Sequence, residues 1–98
     1  MKLTLVPTSS EWQVDPETYI ALRTELNLLG YDAEIIDEHS DSEKHDPVAD
    51  LEIHFKGETP GHAQTDALAK QVRRSLKQTK HFSIYGRGDE LLRQGWSG

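Results

Sequence analysis

The sequence predicts an α+β domain with the ferredoxin-like order β-α-β-β-α-β: an antiparallel sheet with two helices on one face, and a possible extra strand in a C-terminal hairpin. Three observations predict it. Apolar and polar residues alternate strictly from Ala49 to Lys56, the signature of a half-buried strand. Two segments, 15–30 and 62–78, place apolar residues at helical spacing. Short apolar runs at 2–6, 31–37 and 80–85 fill the remaining strand positions.

The elements follow in order. Leu3 and Leu5 share one face of the first strand. Asp15 is a helix N-cap, Pro16 takes the first helical position and Glu17 meets the positive end of the helix dipole. Tyr19, Leu22, Leu26 and Leu29 form the buried face of that helix, and Gly30 stops it. The second strand centres on Ala33, Ile35 and Ile36, and an acidic loop spans 38–47. In the third strand Leu51, Ile53 and Phe55 point inward, and Glu52, His54 and Lys56 point to water. Leu68, Ala69, Val72 and Leu76 line the second helix. Phe82 and Ile84 are the inward residues of the next strand, Gly86 to Asp89 turn the chain, and 90–93 return as a hairpin partner. The 98 residues make a single domain, 1–98, with 96–98 read as a frayed end.

Composition bounds the function. Residues of the apolar class make up 35% of the chain, so the core is modest or a partner covers part of the surface. The absence of cysteine removes disulfides, thiolate nucleophiles and cysteine-based metal sites. No run approaches the roughly 18 apolar residues of a membrane span, and the N-terminus lacks a signal-peptide pattern, so the expectation is a cytoplasmic protein without a membrane partner. Charge is split along the chain. Residues 1–66 hold four Lys and Arg against fifteen Asp and Glu, a net −11, whereas 67–98 hold seven against two, a net +5.

That split isolates the leading candidate site. Lys70, Arg73, Arg74 and Lys77 recur at i, i+3, i+4 and i+7, on the side of the second helix away from Leu68, Val72 and Leu76. A cationic stripe of this kind suits an acidic protein surface; as a plain solvated face it would also be favoured near a helix C-terminus. Nucleic acid fits poorly, because Asp32, Glu34, Asp50 and Glu52 on the strands would repel phosphate. A metal reading would use His39, Asp41 and His45 of the acidic loop, although their spacing fixes no geometry and the loop reads equally as a solvated connection. His54 and His81 lie on the polar phase of their strands and would meet if those strands were neighbours. Arg87-Gly88-Asp89 spells an adhesion tripeptide but occupies a turn that selects Gly and Asp on steric grounds. Trp12 and Trp96 read either as caps on the core or as interface anchors. No serine sits in a nucleophile motif, so no catalytic residue and no cofactor are assigned.

The stretch His81-Phe82-Ser83-Ile84-Tyr85-Gly86-Arg87-Gly88-Asp89-Glu90-Leu91-Leu92 resembles the end of the effector-associated constant component modules of actinobacterial conflict systems. Those modules close with a strand, a Tyr-Gly turn and a short returning strand. The resemblance covers the C-terminal third, and the chain departs from it in having no apolar, membrane-like segment in its middle. It implies an adaptor linking an effector to a sensor, with no catalytic residues. The expected function is thus a small non-catalytic interaction or adaptor domain that docks an acidic partner through Lys70, Arg73, Arg74 and Lys77. It would be able to pair with itself edge to edge through 49–56 or the C-terminal hairpin. The alternative is a small-ligand or metal-sensing module of the same fold.

Overall fold

Residues 1–7, 15–36, 49–76 and 80–97 are described by a computed structural model of the chain. Strand β1 (Lys2–Pro7) leads through helix α1 (Pro16–Leu28) to β2 (Asp32–Ile35). Strand β3 (Leu51–Phe55) leads through α2 (His62–Ser75) to β4 (His81–Tyr85), and β5 (Leu91–Trp96) returns beside β4. The expected α+β class, both helices and the extra hairpin strand are therefore present.

The strand order is β2-β1-β3-β4-β5, which differs from the ferredoxin-like order. In that fold each helix joins two strands that are split by a third. Here each helix joins two adjacent, parallel strands, β1 with β2 and β3 with β4. The two strand–helix–strand halves meet where β1 runs antiparallel to β3, and β5 is antiparallel to β4, so the sheet is mixed rather than antiparallel. The reason is physical. A parallel connection needs a crossover of about a dozen residues, and both helices supply that length whether or not a third strand intervenes. The linear order of elements is common to both arrangements, and tertiary packing selects between them.

Helix α1 starts at Asp15, whose carboxylate accepts the Thr18 hydroxyl at 2.6 Å rather than capping a backbone amide. It ends in a Schellman motif. Gly30 adopts φ +100°, its N–H donates to the Asn27 carbonyl at 3.1 Å, and the Tyr31 N–H donates to the Leu26 carbonyl at 3.1 Å. The Asn27 side-chain oxygen then accepts the Ala33 N–H at 2.9 Å, tying the end of α1 to β2.

One core joins both helices to one face of the sheet. Leu3, Leu5, Leu51, Ile53, Phe55, Phe82 and Ile84 meet Tyr19, Leu22 and Leu26 of α1 and Leu68, Ala69 and Val72 of α2. Two core assignments from the sequence are corrected. Leu29 is 58% exposed because the chain has already turned away from the sheet at the helix end, and Ile35 is only half-buried on the short edge strand β2.

Over its inner strands the other face of the sheet is buried, where alternation had implied a wet face. Thr4, Glu52, His54, His81, Ser83 and Tyr85 point away from the helices, yet all are buried. The burial is confined to the inner strands β1, β3 and β4 and does not extend to the exposed residues of the edge strands β2 and β5. At the C-terminus Ser97 is also buried. Its N–H donates to the Lys80 carbonyl at 2.9 Å and its hydroxyl oxygen accepts the Lys80 N–H at 3.0 Å, so residues 96 and 97 are tied into the sheet.

Candidate partner-binding face

Helix α2 positions the basic residues by its own periodicity. Thr65, Leu68, Ala69 and Val72 face the core, which turns Lys70 and Arg74 outward. Lys70 is 64% exposed, with Asp66 3.6 Å away one turn earlier. Arg74 is exposed and lines the groove between α2 and α1, opposite Ala21 and Glu25. Arg73 is different. It is half-buried at the flank next to β5, and its guanidinium lies 6.0 Å from the Phe82 ring centre. Gly95 of β5 makes this possible, because a methyl group there would lie 3.0 Å from Arg73 Nη2 and 2.8 Å from Phe82 Cζ. Lys77 lies outside the described residues, as do Trp12 and the metal candidates His39, Asp41 and His45.

The structure adds one residue that the sequence reading missed. Arg93 of β5 reaches Asp66 at 2.7 Å, so Asp66 is held between Arg93 and Lys70, with Arg73 on the β5 flank and Arg74 on the α1 side of the same helix. These five residues sum to +3. No signal local to 91–96 marks Arg93, since it joins α2 only through the pairing of β5 with β4. The arrangement offers hydrogen-bond donors and positive potential to an anionic surface, and the Arg73 fork is held in place before any partner arrives.

A second polar cluster occupies the opposite face. His54 Nε2 lies 3.0 Å from Glu52, its Nδ1 lies 3.4 Å from Asp89, and its ring stacks on Tyr85 with centres 4.8 Å apart. The Nε2–Glu52 contact is a buried hydrogen bond, and Asp89 lies on the other side of the ring. His54 and His81 do not meet, although β3 and β4 are neighbours. The register pairs His54 with Tyr85 and places His81 beside Asp50, whose carboxylate accepts the His81 N–H at 3.0 Å.

Asp89 reaches His54 from the β4–β5 turn, with φ +61°. Glu90 staples that turn by accepting the Thr59 hydroxyl at 2.8 Å and the Gly88 N–H at 3.0 Å. Its own backbone amide and then the Thr59 hydroxyl hold the Glu90 carboxyl below its ordinary range, with a smaller contribution from the Gly88 amide, against opposing pushes from desolvation and from Asp89. The Arg87-Gly88-Asp89 tripeptide is thus built into a turn with a structural function.

Two further places bear on the alternative readings. A groove of about 330 Å³ opens between the end of α1 and the start of α2, lined by Met1, Leu29, Tyr31, Gln64 and Leu68. Among the described residues no charged side chain lines it. Among the described residues no three His, Asp or Glu side chains converge to hold a metal, and no helix is long and apolar enough to cross a membrane.

Comparison with protein-family models, with curated proteins and with solved structures returned no match for this chain.

Proposed function

We propose that this chain is a small non-catalytic interaction or adaptor domain that docks an acidic protein partner through the outer face of α2. The observation that carries the reading is the pairing of Asp66 with both Lys70 and Arg93, with Arg73 braced over Phe82 and Arg74 exposed on the same helix. Four cations and one carboxylate leave the face short of anions, and an acidic partner supplies them. The adaptor role implied by the resemblance of 81–92 to effector-associated constant component modules points the same way. A cytoplasmic setting is part of this proposal.

The variant that tests it is Lys70→Glu/Arg74→Glu. Arg73 is a poor choice, since its packing on Phe82 and Gly95 would confuse docking with folding. Wild type and variant are used as bait in lysate of the native host, at low and moderate salt, after thermal melts establish that both fold. The proposal expects a protein rich in Asp and Glu, captured by the wild type, weakened by salt and lost with the variant. A partner captured equally by both, or no partner at either salt, would overturn it.

A further inference from the structure

The two edges of the sheet differ in how well they are protected. Edge strand β2 has four residues, and its exposed side chains Asp32 and Glu34 are acidic. Two such edges brought together would set carboxylate against carboxylate. Edge strand β5 has six residues and no proline, and its one charge, Arg93, is engaged with Asp66 on the helix side. It also carries two of the large apolar side chains left in water, Leu91 at 50% and Trp96 at 61% exposure. Natural sheets blunt exposed edges with charge, proline or shortness, and β5 has of these only Arg93, which is paired with Asp66.

The placement of those two side chains identifies an occupant. The β4–β5 register shifts at Ile84/Tyr85, so Leu91 pairs with Tyr85 while Trp96 pairs with His81. Tyr85 and His81 both belong to the face away from the helices, and the irregularity therefore brings Leu91 and Trp96 to the same face, at opposite ends of the strand. The Trp96 ring lies against the His81 ring with centres 4.9 Å apart, which fixes its direction.

We infer that β5 is a self-association edge. Two copies pair β5 to β5 in antiparallel fashion about a two-fold axis at Gln94, making one continuous ten-stranded sheet with all four helices on one side. In this register Gln94 faces its own equivalent and Arg93 faces Gly95. Each Trp96 comes to lie beside the partner's Leu91–Leu92 bulge, so both exposed apolar residues are covered twice over. No two like charges are set opposite each other. An unrelated extended peptide would need to supply this pattern, whereas a second copy of the chain already holds it. The contact is smaller than the roughly 1,600 Å² of a standard interface, so the dimer is a reversible one.

The test is sedimentation equilibrium of the whole chain from about 1 µM to about 500 µM, a range set by the affinity of a small interface. The wild type is expected to pass from monomer to dimer across it, and Leu91→Lys to weaken the dimer at least ~10-fold with an unchanged melt. Register is tested separately. The native chain has no cysteine, so a Gln94→Cys variant should oxidise rapidly to a disulfide-linked dimer, while Glu34→Cys on the β2 edge should not. A wild type that stays monomeric throughout, a Leu91→Lys variant that dimerises as well as the wild type, or linkage of Gln94→Cys no faster than Glu34→Cys would overturn the proposal.

Discussion

The two strand–helix–strand halves have the same architecture and opposite surfaces. In the first, β1-α1-β2, the helix exposes Glu17 and Glu25 and the outer strand is a short acidic edge. In the second, β3-α2-β4, the helix exposes Lys70 and Arg74 and the outer strand is covered by β5, which contributes Arg93. The charge split along the sequence thus becomes a split across the sheet, because each half keeps its own strands together. The comparison teaches that the added strand does more than lengthen the sheet. It flanks α2 with a further cation, gives Arg73 a floor, and carries the turn whose Asp89 meets His54.

Breaking the buried polar anchor of the second half should have the largest effect. His54→Ala removes the ring between Glu52, which is fully buried, and Asp89. A loss of about 2–4 kcal/mol is expected in urea unfolding, because the buried Glu52 carboxylate loses a hydrogen-bond partner and the lost ring leaves a cavity against Tyr85. Asp89→Asn, at a half-exposed position, should cost under ~1 kcal/mol.

Next come the glycines that shape each half. Gly95→Ala pushes into Phe82 and Arg73, and a loss of about 1–2 kcal/mol is expected, together with release of Arg73 from its seat. In the first half Gly30→Ala meets no neighbour but must adopt φ +100°, so its cost of about 1 kcal/mol comes from backbone strain alone. Equal losses at the two sites, with Arg73 unmoved by spectroscopy, would erase the distinction drawn here.

The smallest effects are on pH dependence. Burial of Lys80, whose amine sits 5.9 Å from the Tyr19 ring centre, lowers its pKa from 10.5. A lowered folded pKa means that the unfolded chain binds the proton more readily, so stability should rise with pH as Lys80 deprotonates below 10.5. The Lys80→Met protein should lack that rise. Glu90 has the opposite consequence at acid pH. Its pKa is held below 4.5, so its contribution is present above that value and is lost as pH falls through the folded pKa, and Glu90→Gln should flatten the step. Matching pH profiles for either variant and the wild type would remove the corresponding claim.

How much of this was legible in the sequence depends on the range of the interaction. Leu51, Ile53 and Phe55 follow from period-two alternation, and Leu68, Val72 and Leu76 from helical spacing, because both patterns are local. The same periodicity finds Lys70, Arg73 and Arg74. Leu29 fits the helical spacing but lies past the last turn, where the Schellman geometry overrides it. The strand order, the burial of Glu52 and His54, and the arrival of Arg93 at Asp66 all depend on which strands become neighbours. No local pattern encodes that choice.

The central claim is that the outer face of α2 is the docking surface. It is tested most directly by calorimetric titration of the captured partner into the wild type and into Lys70→Glu/Arg74→Glu, at about 50 and 300 mM salt, which spans a change of about 2.4-fold in screening length. The account predicts at least ~10-fold weaker binding by the variant at low salt, with a difference that shrinks as salt rises. Equal affinity of the two proteins at both salts would contradict it.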